Sequence, residues 1–188
     1  QDVDLNFIKC PIFSTHLNLS SSELFKINEK ILNFRENNDC VEKEKTNLKA
    51  WRSKYNTHIS SNNFNDINLL IVKKCESIFN SFYKKNIKFV IENMWVCLYE
   101  NQDFAHEHKH GFSDISCCYY VDIEKNASSL LFPPDVEIIP ENDMLVIFPG
   151  FLYHKVPKTV GKRSLISLNL KFETELKETK ESLILSYS

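Results

Sequence analysis

The segment Met144-Leu145-Val146-Ile147-Phe148 is one of six short runs of apolar, β-branched and aromatic residues that follow residue 87. The six runs span residues 89–99, 115–121, 130–132, 136–139, 144–148 and 165–170. Pro, Asn and Asp separate several of them, and no helical pattern lies between them. Strands that follow one another at intervals of about 8–12 residues indicate a sandwich or a barrel.

The first half of the chain has a helical pattern instead. Ser20-Ser21-Ser22-Glu23 offers N-cap hydroxyls followed by an acidic residue in the first turn. Leu24, Ile27, Ile31 and Phe34 then recur at spacings of three and four, which predicts one helix. A second apolar stripe predicts another helix near residues 64–85. Helices first and strands afterwards favour an α+β fold in which the helices support one face of a sheet.

The length of 188 residues is typical of one domain with a proper core. Within it, we predict mainly helical support over residues 1–86 and a β core over residues 87–172. Residues 36–50 are charged and rich in Asn, which favours an exposed connection. Residues 173–188 are predicted to be a tail that forms a short peripheral helix.

Composition and charge exclude several classes of partner. A net charge of -2 gives no electrostatic reason to expect nucleic acid or an anionic membrane. No apolar run approaches the roughly 20 residues that span a bilayer, and the first residues lack the pattern of a signal peptide. We therefore expect a cytoplasmic protein. The six cysteines show no CxxC spacing, which favours free thiols in a reducing compartment.

A cluster of histidines is the first sign of chemistry. It reads His106-Glu107-His108-Lys109-His110, and residues two apart on a strand point the same way. Either His106 and His108 or His108 and His110 can therefore bind one metal ion, with His154 as the remote third ligand. Two close ligands and one distant ligand are typical of a facial triad, which leaves positions open for substrates. A polar surface turn is the alternative, and no HExxH zinc-protease motif is present.

Arg163 adds a second group to this pattern. It lies nine residues after His154 at the start of an apolar strand, where a period of two puts it on the same face as Asn169. An arginine that points into a barrel is costly unless it meets an anion, and a guanidinium pairs with a carboxylate through two hydrogen bonds. An exposed arginine at a strand start is the alternative.

These residues together resemble the 2-oxoglutarate/Fe(II)-dependent dioxygenase superfamily. More narrowly, they are similar to a group of uncharacterised bacterial and phage oxygenases in which His-x-His precedes a Ser-Gly-Val-Tyr-Tyr-like strand. The matching segments in this chain are His108-Lys109-His110, Ile115-Ser116-Cys117-Cys118-Tyr119-Tyr120-Val121, Phe148-Pro149 followed by His154-Lys155-Val156, and Arg163 through Asn169. Cys10-Pro11-Ile12-Phe13 and Ala50-Trp51-Arg52-Ser53 resemble the group's N-terminal motifs.

The resemblance implies a fold and a set of site residues. The fold is a double-stranded β-helix, a cupin-like jelly roll with helices against one sheet. The metal ligands are His108, His110 and His154, and Tyr99, nine residues before His108, favours His108 over His106 as the first ligand. Arg163 is implied to bind 2-oxoglutarate, with Tyr99, Tyr120 and Asn169 as supporting hydrogen-bonding groups. No catalytic residue beyond the metal ligands is implied.

The reaction that the resemblance implies uses Fe(II), 2-oxoglutarate and O2, and hydroxylates a substrate with release of succinate and CO2. The substrate is open: a protein side chain, a free amino acid or a small metabolite. The oligomeric state is open as well, a homodimer included. This chain has His110 where the broad superfamily has Asp or Glu. Two alternatives therefore stand beside the first: a three-histidine dioxygenase that does not use 2-oxoglutarate, and a non-catalytic metal-binding jelly roll.

Overall fold

A computed structural model describes residues 10–38 and 47–173 of the chain. Its elements in the N-terminal half are β1 (Phe13–His16), α1 (Ser21–Glu36), β2 (Leu48–Lys49), β3 (Trp51–Arg52), α2 (Thr57–Ser60) and α3 (Asn65–Tyr83). Its elements in the C-terminal half are β4 (Phe89–Tyr99), β5 (Phe104–His108), β6 (Ile115–Ile123), β7 (Leu130–Phe132), β8 (Val136–Ile138), β9 (Met144–Pro149), β10 (His154–Val156) and β11 (Arg163–Phe172).

The first helix begins where the sequence predicts it. Ser20 is the N-cap, and its side chain accepts a hydrogen bond from the backbone N–H of Glu23 while the Glu23 carboxylate accepts from the backbone N–H of Ser20. This reciprocal capping box satisfies two N–H groups that the helix itself leaves unpaired. The helix predicted near residues 64–85 is α3.

The strands form two antiparallel sheets. The larger sheet has the order β1-β9-β6-β11-β4-β3, and the smaller has the order β2-β5-β10-β7-β8. Strands β4, β6, β9 and β11 lie in the larger sheet beside strands that are distant in sequence, so long-range pairing defines the fold. The predicted α+β arrangement of helices and antiparallel strands is confirmed at this level.

Both faces of the larger sheet are buried, and alternate residues of each strand serve two different clusters. Val96, Ile166 and Tyr119 pack on one face with residues from α1 and α3. Cys97 and Leu165 pack on the opposite face, together with side chains of the smaller sheet such as Val156. The helices thus cover one face, and the second face encloses a space between the sheets.

Three short strands in the N-terminal half were not predicted. Strand β1 extends the larger sheet beside β9, and β2 pairs with β5 in the smaller sheet. Strand β3 pairs with β4 and places Arg52 opposite Cys97. Strands of two to four residues are too short to show a period of two in sequence. These strands therefore bring residues of the helical half to both sheets.

Some predictions lie outside the described residues. They are most of the connection at residues 36–50, all but residue 173 of the C-terminal tail, and Cys40. The cysteines within the described ranges are free, and Cys75, Cys97 and Cys117 are buried, as expected for packed thiols. No helix in the described part of the chain has the length and hydropathy needed to cross a membrane.

Candidate metal centre

Three histidines meet at one point in the space between the sheets. Nitrogen atoms of His108, His110 and His154 all lie within 4.8 Å of one another. The ring centroids are 4.3 Å apart for His108 and His154, 5.2 Å for His108 and His110, and 5.1 Å for His110 and His154. These separations allow three imidazoles to bind a single ion from one side.

Cross-strand pairing fixes two of the three. His108 ends β5 and lies directly opposite His154, the first residue of β10. Side chains of directly opposed residues in an antiparallel pair stand on the same face about 4.5–5.5 Å apart. The register of the smaller sheet therefore sets the spacing of this pair before any metal binds.

His110 reaches the cluster by another route. Strand β5 ends at His108, so the alternation of side chains along a strand, on which the sequence prediction relied, does not place His110. Its backbone N–H instead donates a 2.7 Å hydrogen bond to the carbonyl of Gly150, just after β9. A Cβ at Gly150 would lie 2.2 Å from the Ser113 carbonyl oxygen and 2.8 Å from that of His110, so only glycine allows this close approach.

In two of the histidines, a hydrogen bond to the backbone determines which ring nitrogen faces the metal site. Nδ1 of His108 lies 2.7 Å from the His106 carbonyl oxygen, and Nδ1 of His154 lies 3.0 Å from that of Leu152. A carbonyl oxygen accepts only from a protonated nitrogen, so Nδ1 carries the hydrogen and Nε2 keeps its lone pair. Metal-binding histidines are oriented in this way by their second nitrogen.

Burial keeps all three rings neutral. Burial, together with the neighbouring His108, lowers the pKa of His154 to about 3. Burial and the charge of His108 lower the pKa of His110 to about 4, and burial lowers the pKa of His108 as well. Neutral imidazole is the form that binds a transition metal, so the cluster is ready to do so at neutral pH.

His106 does not join the cluster. It is exposed and its ring packs edge-on against Phe104, with centroids 4.8 Å apart. Of the two pairs left open by the sequence, the structure therefore brings together His108 and His110. The predicted set of three histidines is the set that converges.

Arg163 is buried in the same cavity. Only 1% of its surface is exposed, and Nη2 donates a 3.4 Å hydrogen bond to the Tyr120 hydroxyl. Nε and Nη1 are buried and have no hydrogen-bond partner among the described residues. Its Cζ lies 4.8 Å from the centre of the Tyr99 ring, which stabilises the charge without using the N–H groups. An arginine with two unused N–H groups in a cavity fits an anionic ligand.

The three supporting residues predicted from sequence lie in two places, two of them at Arg163 and one beside the histidines. Tyr99 lies opposite Arg163 in the β4–β11 pair, and Tyr120 contacts the same guanidinium. Burial raises the pKa of both tyrosines above the usual value, so each hydroxyl keeps its proton. Asn169 accepts a 2.8 Å hydrogen bond from Ser116, and its Nδ2 lies 3.5 Å from Nδ1 of His110. Asn169 therefore lies beside the three histidines rather than beside Arg163.

One cavity of about 150 Å3 joins these groups. Its walls also contain two residues that the sequence analysis did not assign to the site, Arg52 and Trp95. Trp95 lies beside the metal cluster, with its ring centroid 5.7 Å from that of His110. Arg52 belongs to the Ala50-Trp51-Arg52-Ser53 segment, which resembles an N-terminal motif of the oxygenase group but gave no sign that Arg52 lines the site.

The donor set agrees with the cofactors that the sequence predicts. Three neutral imidazoles suit Fe(II), although zinc, copper and nickel also accept imidazole. A facial arrangement leaves positions for a chelating co-substrate and O2. The partnerless N–H groups of Arg163 suit the far carboxylate of a dicarboxylic acid such as 2-oxoglutarate.

Comparison with solved structures shows the same architecture in oxygenases. A Pseudomonas putida prolyl-4-hydroxylase matches with a TM-score of 0.64 and 12% identity, over 85% of this chain and 91% of that one. The viral collagen prolyl hydroxylase of Paramecium bursaria Chlorella virus-1, in a 2-oxoglutarate complex, gives a TM-score of 0.60 and 14% identity, over 85% and 94%.

A third match is the non-haem α-ketoglutarate-dependent epimerase SnoN from nogalamycin biosynthesis, with a TM-score of 0.66 and 11% identity over 85% of this chain and 76% of that one. No family model matches the sequence, and no curated protein does. The likeness is therefore one of fold. The chain has the fold of solved 2-oxoglutarate/Fe(II) oxygenases, and its His-x-His…His cluster lies in the cavity between the sheets.

Proposed function

We propose that this protein is a non-haem Fe(II)- and 2-oxoglutarate-dependent dioxygenase that hydroxylates a substrate and releases succinate and CO2. The proposal includes a double-stranded β-helix as the arrangement of the two sheets. It also takes residues 1–188 as a single oxygenase-like domain.

The observation that carries the proposal is the buried Arg163 in the cavity of the histidine cluster. A metal site alone suits many functions, including a structural one. A guanidinium that is 1% exposed, with two N–H groups lacking partners among the described residues, calls for an anion in the same cavity. 2-Oxoglutarate carries a keto acid that chelates a metal and a second carboxylate that an arginine can bind.

In this proposal, His108, His110 and His154 hold Fe(II) through neutral imidazole nitrogens. When bound there, iron would supply the activation of O2, with 2-oxoglutarate as the co-substrate that leaves as succinate and CO2. Arg163 holds the far carboxylate, and Tyr120, whose hydroxyl accepts from Nη2, keeps the guanidinium in place. Aromatic walls such as Trp95 and Phe148 exclude water from the cavity. The protein thus positions the reactants and supplies no acid or base of its own.

The experiment is anaerobic loading with Fe(II), followed by 2-oxoglutarate and O2, with succinate measured by mass spectrometry. Succinate is measured without an added primary substrate, so the test does not need the substrate's identity. We expect succinate from the wild type and none from His154→Ala, whereas His106→Ala, which removes an exposed histidine, retains the activity.

Each alternative gives a different result. A three-histidine dioxygenase independent of 2-oxoglutarate would bind iron and consume O2 with other substrates, but would form no succinate. A non-catalytic jelly roll would bind a metal and consume neither O2 nor 2-oxoglutarate. Either result would contradict the proposal.

A further inference from the structure

A second buried arginine lines the cavity. Arg52 lies on β3 opposite Cys97, and Cys97 lies opposite Leu165 on β11. Directly opposed residues share a face of the sheet, so Arg52 and Arg163 stand on the same face, separated by the width of two strand pairings. That spacing is about 10 Å across the sheet. One dicarboxylate at Arg163 therefore leaves Arg52 available.

The Arg52 side chain is held in place, and it has no ion-pair partner in the described part of the chain. It is 4% exposed, and Nη1 donates a 3.0 Å hydrogen bond to the Ser53 carbonyl. Its Cζ lies 3.9 Å from the centre of the Tyr55 ring, so the guanidinium stacks on that ring. Nε is buried and has no hydrogen-bond partner within residues 10–38 and 47–173. A buried guanidinium without a carboxylate is costly unless a ligand supplies the anion.

A row of aromatic rings runs from Arg52 to the three histidines. The Tyr55 and Trp95 rings pack edge to face with centroids 5.0 Å apart, and Trp95 lies 5.7 Å from the His110 ring. These rings form a continuous wall from Arg52 to the histidines. A molecule anchored at Arg52 would lie along Trp95 and reach the metal with a group other than its anchor.

The charge of the cavity favours an anionic substrate. Its walls contain Arg52, Lys109 and Arg163, and no Asp or Glu among the residues described there. The three histidines are neutral, so they do not reduce the charge of +2 on Fe(II). The two negative charges of 2-oxoglutarate balance the charge of the iron and leave the charges of the arginines unbalanced. Positive charge therefore remains on the Arg52 side after iron and 2-oxoglutarate have bound.

We propose that Arg52, together with Tyr55 and Trp95, forms a subsite for an oxyanion of the primary substrate. The substrate class is a small organic molecule that carries a carboxylate or a phosphate at one end and the carbon to be oxidised at the other. The cavity of about 150 Å3 also has to hold iron and 2-oxoglutarate, so the space that remains for the substrate is small. This inference rests on the proposed function, because it assigns 2-oxoglutarate to Arg163.

The test uses zinc-loaded protein saturated with 2-oxoglutarate, which cannot turn over. Acetate, inorganic phosphate, glycerol 3-phosphate and the twenty free L-amino acids are titrated at up to millimolar concentrations. Each amino acid is paired with its carboxamide, which lacks the carboxylate. Binding is followed by thermal shift and by tryptophan fluorescence, and Trp95→Phe separates the signal of Trp95 from that of Trp51.

We expect at least one carboxylate or phosphate to bind, and any amino acid that binds should do so much more tightly than its carboxamide. Arg52→Met should weaken that binding by about 10- to 100-fold, as for a lost charge-assisted hydrogen bond, while 2-oxoglutarate binds within about threefold of wild type. Arg52→Lys keeps the positive charge but loses the planar guanidinium, so its affinity for the oxyanion should lie between those of the wild type and Arg52→Met. Lys54→Met removes an exposed charge two residues away and should change neither affinity.

The results that overturn the inference are distinct from those that overturn the proposed function. If the wild type binds 2-oxoglutarate but no oxyanion of the panel, or if Arg52→Met and Arg52→Lys bind the panel as the wild type does, the Arg52 subsite is wrong. If Arg52→Met loses 2-oxoglutarate instead, Arg52 belongs to the co-substrate. If the wild type does not bind 2-oxoglutarate at all, the proposed function fails and this inference fails with it.

Discussion

Replacing Arg163 by methionine tests the proposed binding of 2-oxoglutarate separately from the stability of the protein. Methionine keeps most of the length of the side chain and removes the charge. Removing one partner of a buried, hydrogen-bonded charge pair costs about 2–5 kcal/mol of binding free energy. We therefore expect Arg163→Met to raise the Kd of 2-oxoglutarate between about 30-fold and about 4,000-fold.

The same substitution should not destabilise the metal-free protein. Nε and Nη1 of Arg163 are buried without hydrogen-bond partners in the described part of the chain, and an unsatisfied buried group costs about 1–3 kcal/mol. The stacking of the guanidinium near Tyr99 and Tyr120 offsets part of that cost, at about 0.5–2 kcal/mol. The free energy of unfolding should therefore be unchanged or higher by about 1–2 kcal/mol.

Two measurements check this prediction. Calorimetric titration of 2-oxoglutarate into zinc-loaded protein gives the Kd, and urea unfolding of metal-free protein gives the free energy of unfolding. Lys162→Met is the matched control, since it removes an exposed charge one residue earlier. If Arg163→Met binds 2-oxoglutarate within threefold of wild type, Arg163 does not bind the co-substrate. If it loses stability by several kcal/mol, the buried guanidinium has a structural partner and the argument from its unpaired N–H groups fails.

Two other substitutions test how the fold positions the site. Gly150→Ala should weaken zinc binding by about 10- to 100-fold, because its Cβ would displace the carbonyls of Ser113 and His110; titration against a chelator measures this, and unchanged affinity would mean that the loop adjusts freely. Asp143→Ala should lower the free energy of unfolding by about 2–4 kcal/mol, because the buried carboxylate accepts hydrogen bonds from the Tyr119 hydroxyl and from backbone N–H groups before α1. Urea unfolding measures this loss, and zinc affinity should stay near that of the wild type.

Much of the sheet structure could be predicted from the sequence. Strand β4 has the bounds predicted for it, and β6 and β11 differ only by extensions at their ends. Both faces of these strands are buried, so they read as long apolar runs. Strands β1, β2 and β3 have two to four residues, and only their long-range partners make them strands.

The site shows the same division between local and long-range information. Arg163 begins β11, a strand that the sequence predicts, whereas His108 and His154 lie on the short strands β5 and β10 and were identified by their spacing and by the family resemblance. His110 converges with the other two histidines, but β5 ends before it, so the alternation of side chains along a strand does not place it there. Arg52 has no local signal, because its place in the cavity depends on the pairing of β3 with β4.

The three histidines are held by different parts of the molecule, and this difference bears on how the site works. His108 and His154 are fixed by register within the smaller sheet, whereas His110 is held by Gly150 at the end of β9, a strand of the larger sheet. Asn169 on β11, also in the larger sheet, touches the His110 ring. A metal bound by all three would therefore join the two sheets across the cavity that contains Arg163. His110 is therefore placed by its loop and by the contact with Gly150, not by strand pairing. It is also the histidine that stands where the broad superfamily has Asp or Glu, so the proposed substitution of a carboxylate by an imidazole falls on the one member of the cluster that strand register does not place.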